Sequence, residues 1–342
     1  MSSAELSGAG PATAGQAPDK SVRRSTRSIP ELVERARKGD ARAVARLISL
    51  VEDASPLLRE VMAGLAPYTG NAQIVGITGA PGVGKSTSTS ALVSQLRATG
   101  KRVGVLAVDP SSPFSGGALL GDRVRMQDHA TDPDVYIRSM ASRGHLGGLA
   151  WATPQALRVL DAAGSDVVVV ETVGVGQSEV EIAGLADTTL VLLAPGMGDG
   201  IQAAKAGILE IGDVYVVNKA DRDGADQLRR ELRNMLALAR DDDQERWRPP
   251  IVQTVAQTGQ GVDELVSRID KHRAWLESTG ELERRRIRRA RDEIESIAVT
   301  ALRERWGDVH GRTELDELAE RVAAGQDDPY AAADALLDTY TD

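Results

Sequence analysis

Residues 79–87 read Gly79-Ala80-Pro81-Gly82-Val83-Gly84-Lys85-Ser86-Thr87, and this stretch decides the fold. It satisfies G-x-x-x-x-G-K-[ST] at every fixed position. Before it, Gln73-Ile74-Val75-Gly76-Ile77-Thr78 has the apolar run of a short buried strand; after it, Ser86 to Ala98 reads as a helix closed by Gly100. A strand, a glycine loop and a helix N-terminus together form an anion site, because backbone N–H groups point inward and the helix dipole favours negative charge. Gly79, Pro81, Gly82, Val83, Gly84, Lys85, Ser86 and Thr87 are therefore candidate nucleotide contacts. Lys85 is expected at the β- and γ-phosphates, and the Ser86 hydroxyl on Mg²⁺.

Working outward, apolar runs recur at 102–108, 135–137, 167–170, 189–193, 214–217 and 251–255, with helical patterns at 153–162, 201–210 and 225–239. Strands alternating with helices predict an α/β fold of the P-loop NTPase type. Its mainly parallel sheet is covered by helices on both faces, and ligands bind at the strands' carboxyl ends. This unit is expected over 66–273. Residues 30–65 carry helix-spaced apolar faces broken at Gly39-Asp40 and Ser55-Pro56, which predicts an N-terminal helical lead-in. Residues 1–29 are rich in Ser, Ala, Gly and Pro without an apolar period and read as a disordered tail. Residues 274–342 read as a C-terminal helical extension. Its arginines (Arg284, Arg285, Arg286, Arg288, Arg289, Arg291) suit a solvated helix with i,i+4 ion pairs, while Leu282, Ile287, Ala290, Ile294, Ile297 and Ala298 leave an apolar stripe. That stripe packs either on its own domain or on a second copy.

Composition narrows the classes. Aromatics are only 3% of the 342 residues, so the core must rest on Val, Leu, Ile and Ala. A net charge of −9 argues against a general nucleic-acid or anionic-membrane binder, and with no cysteine there is no disulfide or thiolate chemistry. No apolar run is long enough to span a bilayer, so the expected location is cytoplasmic.

Asn218-Lys219-Ala220-Asp221 follows the strand at 214–217, where an N-K-x-D guanine-recognition motif belongs. The Asp221 carboxylate can accept from guanine N1–H and its N2 amine, whereas adenine would leave it unpaired. Sites of that kind reject the wrong analogue by on the order of 10⁴-fold. With the upstream loop, this predicts GTP and GDP as ligands. Ala256 stands where a backbone N–H would meet guanine O6, although Val255 replaces the serine that many GTPases carry before it. Glu171-Thr172-Val173-Gly174 ends the strand at 167–170, in the form of a Walker B strand entering a switch. Glu171 is a candidate catalytic and Mg²⁺-side group, and the Gly174 N–H a γ-phosphate sensor. Val175 cannot orient a water as glutamine does, so slow intrinsic hydrolysis is expected, with Gln177 a weak substitute. Asp109 and Asp122 bracket a Ser- and Gly-rich loop and are further candidate oxygen ligands for Mg²⁺.

Taken together, five strings resemble the methylmalonyl-CoA mutase-associated GTPases, the MeaB or ArgK family. They are 79–87, Asp-Pro-Ser-Ser-Pro-Phe-Ser-Gly-Gly-Ala-Leu-Leu-Gly-Asp-Arg (109–123), Arg-Ser-Met-Ala-Ser-Arg-Gly-His-Leu-Gly-Gly-Leu (138–149), Glu-Thr-Val-Gly-Val-Gly-Gln-Ser-Glu (171–179) and Ala-Pro-Gly-Met-Gly-Asp-Gly-Ile-Gln-Ala-Ala-Lys (194–205). The resemblance runs from about Pro30 to the C-terminus. It implies a homodimeric GTPase that chaperones an adenosylcobalamin-dependent acyl-CoA mutase, gating cofactor loading and protecting the enzyme. It also implies that 194–205 is a switch toward the mutase, with Asp199 and Lys205 as polar contacts, and that the C-terminal helices are a dimer arm. Two other classes compete. Nickel-inserting GTPases use Cys and His ligands, but this chain has no cysteine and its His129, His145, His272 and His310 show no ligand spacing. An older family label suggests a kinase of basic amino-acid transport, for which no acceptor or base motif is visible. A GTP-binding module that does not hydrolyse is a third possibility, consistent with Val175.

Overall fold

The computed structural model describes residues 28–110, 127–129, 131–142, 152–172, 178–196, 210–238, 246–306 and 313–338. Seven strands form one all-parallel sheet: β1 (Gln73–Thr78), β2 (Val103–Pro110), β3 (Val135–Ser142), β4 (Val167–Thr172), β5 (Thr188–Leu193), β6 (Val214–Asn218) and β7 (Ile251–Thr254). Their spatial order is β3-β2-β4-β1-β5-β6-β7. From β1 the chain crosses to β2 and β3, returns as β4 beside β1, then builds β5 to β7 on the other flank. The nucleotide loop thus leaves the sheet where its winding reverses, the usual ligand crevice of such folds.

The central strands are unbroken apolar runs because both of their faces are buried. Side chains alternate between the faces. Val167 and Val169 of β4 join the core that also contains Leu190, Leu192, Val214 and Val216, whereas Val168 and Val170 join the opposite one. The first core is covered by α4 (Lys85–Ala98) and by Leu265, Val266 and Ile269 of a later helix, α8 (Val262–Ser278). The second is covered by α1 (Ile29–Arg37), α2 (Ala41–Glu52), α3 (Leu58–Leu65) and α5 (Thr153–Ala162), with Ile182 from α6 (Ser178–Leu185). A third cluster sets α7 (Ala225–Leu238) against Val191, Tyr215 and Val217. The sequence-predicted α/β class and two-sided cover are what the structure shows.

The N-terminal helices are integral to one face of the sheet. Leu47 and Ile48 are fully buried in the same cluster as Leu106 and Val168. Asp40 caps α2, its Oδ1 accepting from the N–H groups of Arg42 (2.9 Å) and Ala43 (3.2 Å), which is why the chain breaks at Gly39-Asp40. Arg138 on β3 donates to Ser49 Oγ (3.3 Å) and pairs with Glu52, tying α2 to the sheet edge.

The C-terminal helices are α9 (Glu281–Trp306), α10 (Thr313–Ala323) and α11 (Pro329–Asp338). The arginines of α9 divide into two sets. Arg284 and Arg288 pair with Glu281, as a solvated helix would. Arg285, Arg286 and Arg289 instead grip the body at the amino ends of β1, β5 and β6. Arg285 makes a two-pronged pair with Asp213 at 2.9 Å from each Nη. Arg286 donates to the Gly70 and Ala72 carbonyls and, with Arg289, pairs with Asp187; Arg289 also donates to the Leu185 carbonyl. Asp187 and Asp213 are buried, and each also accepts a backbone N–H, from Ile74 (2.9 Å) and Thr189 (2.8 Å) respectively. Local pairing accounts for only part of this helix: Arg285 also approaches Glu281 at i,i+4 (3.8 Å), but the hydrogen-bonded partners of Arg285, Arg286 and Arg289 lie 72 to 216 residues away in sequence.

Candidate nucleotide site

The loop after β1 adopts its shape through glycines where nothing else fits. Gly79 has φ +140, and a Cβ there would stand 2.3 Å from the Leu192 carbonyl oxygen of β5. Gly84 has φ +97, and its Cβ would meet Asn218 Nδ2 at 2.5 Å. Immediately behind it α4 begins at Lys85, with no acidic residue in its own first turn to repel an anion. Lys85 is buried, and its Nζ donates to the carbonyls of Gly79 (2.7 Å) and Ala80 (3.2 Å). The ammonium therefore lies folded under the loop that it serves.

A buried carboxylate faces the same helix. Glu171 near the end of β4 is 4% exposed and accepts hydrogen bonds from Ser86 Oγ (2.6 Å) on Oε1 and Thr89 Oγ1 (2.8 Å) on Oε2. Ser86 and Glu171, paired from the sequence as cation-side residues, are thus in direct contact. Thr89 was missed. It lies three residues after Ser86, on the same helix face, and that spacing was the available signal.

The base-side motif is knitted into the phosphate loop. Asn218 is buried, and its Nδ2 donates to the Val83 carbonyl (2.9 Å). Its Oδ1 accepts from Thr254 Oγ1 (3.2 Å) and from the Ala256 N–H (3.1 Å). Lys219 takes the left-handed conformation (φ +57) and reaches back to the Gly82 carbonyl (2.7 Å). Asp221 is exposed, free of the packing that fixes Asn218. The Ala256 N–H, expected at guanine O6, is directed at Asn218 here, so contact with a base requires that proton to be shared or released. Val255 stands where many GTPases have serine, and the turn is closed by a backbone bridge to Gln260 (3.0 Å). Thr254 is the second residue that sequence reasoning missed.

Known proteins resemble this chain over most of its length. The sequence model described as "Methylmalonyl Co-A mutase-associated GTPase MeaB" matches residues 44–309. The chain belongs to this family. A Pyrococcus abyssi protein, named only as a candidate GTPase, is 52% identical over 310 residues, covering 90% of this chain and 96% of its own. The mouse mitochondrial "Methylmalonic aciduria type A homolog" is 36% identical over 270 residues, covering 78% of this chain and 65% of its own. Among solved structures, one described as an LAO/AO transport system kinase superposes with a TM-score of 0.70 at 27% identity, covering 91% of this chain and 97% of that one.

This MeaB-family chain is accordingly a GTPase that takes guanine nucleotides. Asp109 sits next to last in β2, in register with Ala141. Asp122, Gly174, Val175, Gln177, Asp199 and Lys205 lie outside the described residues, as do the predicted N-terminal tail through residue 27 and the predicted helix at 201–210 apart from Glu210. Among the described residues no helix is long and apolar enough to cross a membrane.

Proposed function

We propose that this MeaB-family GTPase is a nucleotide-dependent chaperone of an adenosylcobalamin-dependent acyl-CoA mutase of the methylmalonyl-CoA mutase type, gating cofactor loading and protecting the enzyme. The observation that carries the reading is the family match over residues 44–309, whose description names the mutase. The mouse relative's name points to the same metabolism.

At the site, the loop from Gly79 to Thr87 would cradle the phosphates, and Lys85 would turn from the Gly79 carbonyl to the β- and γ-phosphates. Asp221 and Ala256 would read guanine, with Asn218 and Lys219 holding the base loop to the phosphate loop. The residues present fit Mg²⁺. The Ser86 hydroxyl and the Glu171 carboxylate are hard oxygen donors that touch at 2.6 Å, and Asp109 and Asp122 would complete the set. When bound, the cation neutralises charge on the phosphates. Gly174 would sense the γ-phosphate. Since Val175 cannot orient water, we assign slow hydrolysis to the isolated chain. Asp199 and Lys205 would face the mutase. The distal part of α9, where Ile294, Ile297 and Leu302 are exposed, would form a homodimer contact.

The test is GTP hydrolysis by the purified protein, alone and with equimolar cobalamin-dependent mutase. Marked stimulation by the mutase supports a client-completed switch; an unchanged rate with no complex in any nucleotide state removes the mutase reading. Asp221→Ala is the specificity control, expected to abolish a GTP-over-ATP preference on the order of 10⁴-fold. A second reading, a kinase of basic amino-acid transport, draws on the description of the solved relative. Transfer of label from γ-labelled GTP to an acceptor protein would favour it.

A further inference from the structure

Thr89 is a fully buried threonine inside α4. A hydroxyl in such a place costs stability unless it is bonded, and valine would fill the same volume without that cost. The hydroxyl has two acceptors within reach: Glu171 Oε2 at 2.8 Å and the Lys85 carbonyl, four residues back, at 3.1 Å. Its single proton serves one at a time, and the ionised carboxylate is the stronger acceptor. Glu171 therefore has each oxygen held by a different hydroxyl of one helix face: Oε1 by Ser86 and Oε2 by Thr89. The two hydroxyls are not equivalent. Ser86 belongs to the phosphate-loop motif, whereas Thr89 lies almost a turn further along α4, away from the loop.

We propose that Thr89 is a positioning residue for Glu171. By fixing Oε2 it presents Oε1 to Ser86 and the divalent cation, and it thereby sets how strongly the cation tightens nucleotide binding. The proposal rests on the reading of Ser86 and Glu171 as cation-side groups. Partners of this kind, once removed, typically cost metal sites ~10- to 100-fold in affinity.

The test uses the full chain and reads GDP affinity by calorimetry in Mg²⁺ and in EDTA, with no catalysis involved. For Thr89→Val the ratio of the two affinities is expected to fall ~10-fold or more, while affinity in EDTA stays within about twofold of the parent. Thr89→Ser, which keeps the hydroxyl, is expected to restore the ratio. An unchanged ratio in Thr89→Val overturns the proposal. Equal weakening in both buffers also overturns it, because that is the mark of a packing residue, and failure of Thr89→Ser to restore the ratio counts the same way. Glu171→Gln separates the proposal from the reading beneath it. If that variant keeps the parent ratio, Glu171 does not serve the cation and both fall; if it loses the ratio while Thr89→Val does not, only the role of Thr89 falls.

Discussion

Acidification should destabilise this protein in part through one histidine. His272 on α8 is completely buried between the rings of Trp247 and Trp275, with centroids 4.7 and 5.8 Å away. Its Nδ1 is 2.9 Å from Thr188 Oγ1, and its Nε2 is 3.3 Å from Asp213 Oδ1 without the alignment of a hydrogen bond. The carboxylate favours the ring proton on Nε2, leaving Nδ1 to accept from Thr188. Burial pushes the imidazole pKa down to about 4 from 6.5; Arg285 adds to this, and Asp213 and Asp187 oppose it. The sign follows directly. Below pH 6.5 the unfolded chain binds a proton that the fold refuses, so stability is full above 6.5 and declines as pH falls toward 4. At about 1.4 kcal/mol per pKa unit, the loss attributable to this ring approaches roughly 3 kcal/mol at the acid end. The assay is urea unfolding at fixed pH steps between 7 and 4.5, for the parent and for His272→Gln. The variant is less stable at pH 7, but the gap should close by about 2 kcal/mol by pH 4.5. Carboxylates held low by partners, such as Asp40 beside Arg35 and Glu281 beside Arg284, are common to both proteins and cancel in the difference. Parallel pH profiles for the two proteins would refute the reasoning, as would an NMR titration of His272 with a midpoint near 6.5.

Two further outcomes are expected. Arg285→Met leaves the buried Asp213 carboxylate without its two-pronged partner and should cost about 2–4 kcal/mol in urea unfolding, with GDP affinity unchanged because the pair lies at the amino ends of the strands. The penalty should shrink at lower pH, where removing Arg285 lets His272 take up a proton beside Asp213. Ile48→Ala should cost about 2–5 kcal/mol by the same measurement, since Ile48 lies in the main core; a cost near zero would mean that the N-terminal helices are an appendage.

The sheet and the phosphate loop were legible in the sequence because their signals are local. A strand such as Val167–Thr172 announces itself by an apolar run, and the glycine loop by a fixed spacing that backbone geometry demands. The base loop was legible as a motif, but the work of its asparagine was not. Asn218 spends its amide on the Val83 carbonyl and its oxygen on Thr254 and Ala256, contacts spanning 135, 36 and 38 residues that no window captures. The arginines of α9 misled for the same reason. Each has an acidic neighbour at helical spacing, and only the tertiary structure shows that Arg285, Arg286 and Arg289 also reach Asp187 and Asp213. Thr89 was masked by its surroundings: its spacing from Ser86 puts it on the same face, but in a helix rich in Ser and Thr that spacing alone does not show that it meets a carboxylate.

The two ends of the sheet carry different contacts. The glycine loop, Glu171 and Asn218 stand at the carboxyl ends of β1, β4 and β6; the arginine grip of α9 is at the amino ends of β1, β5 and β6. The strands between them are about 20 Å long and buried on both faces. Helix α6 is placed differently. It starts a few residues after Glu171 and Thr172 and packs on β1 through Ile182. It ends at Leu185, whose carbonyl accepts from Arg289, with Asp187 two residues beyond. Helix α6 thus ends on the residues that Arg289 grips, through one carbonyl hydrogen bond at Leu185 and one ion pair at Asp187.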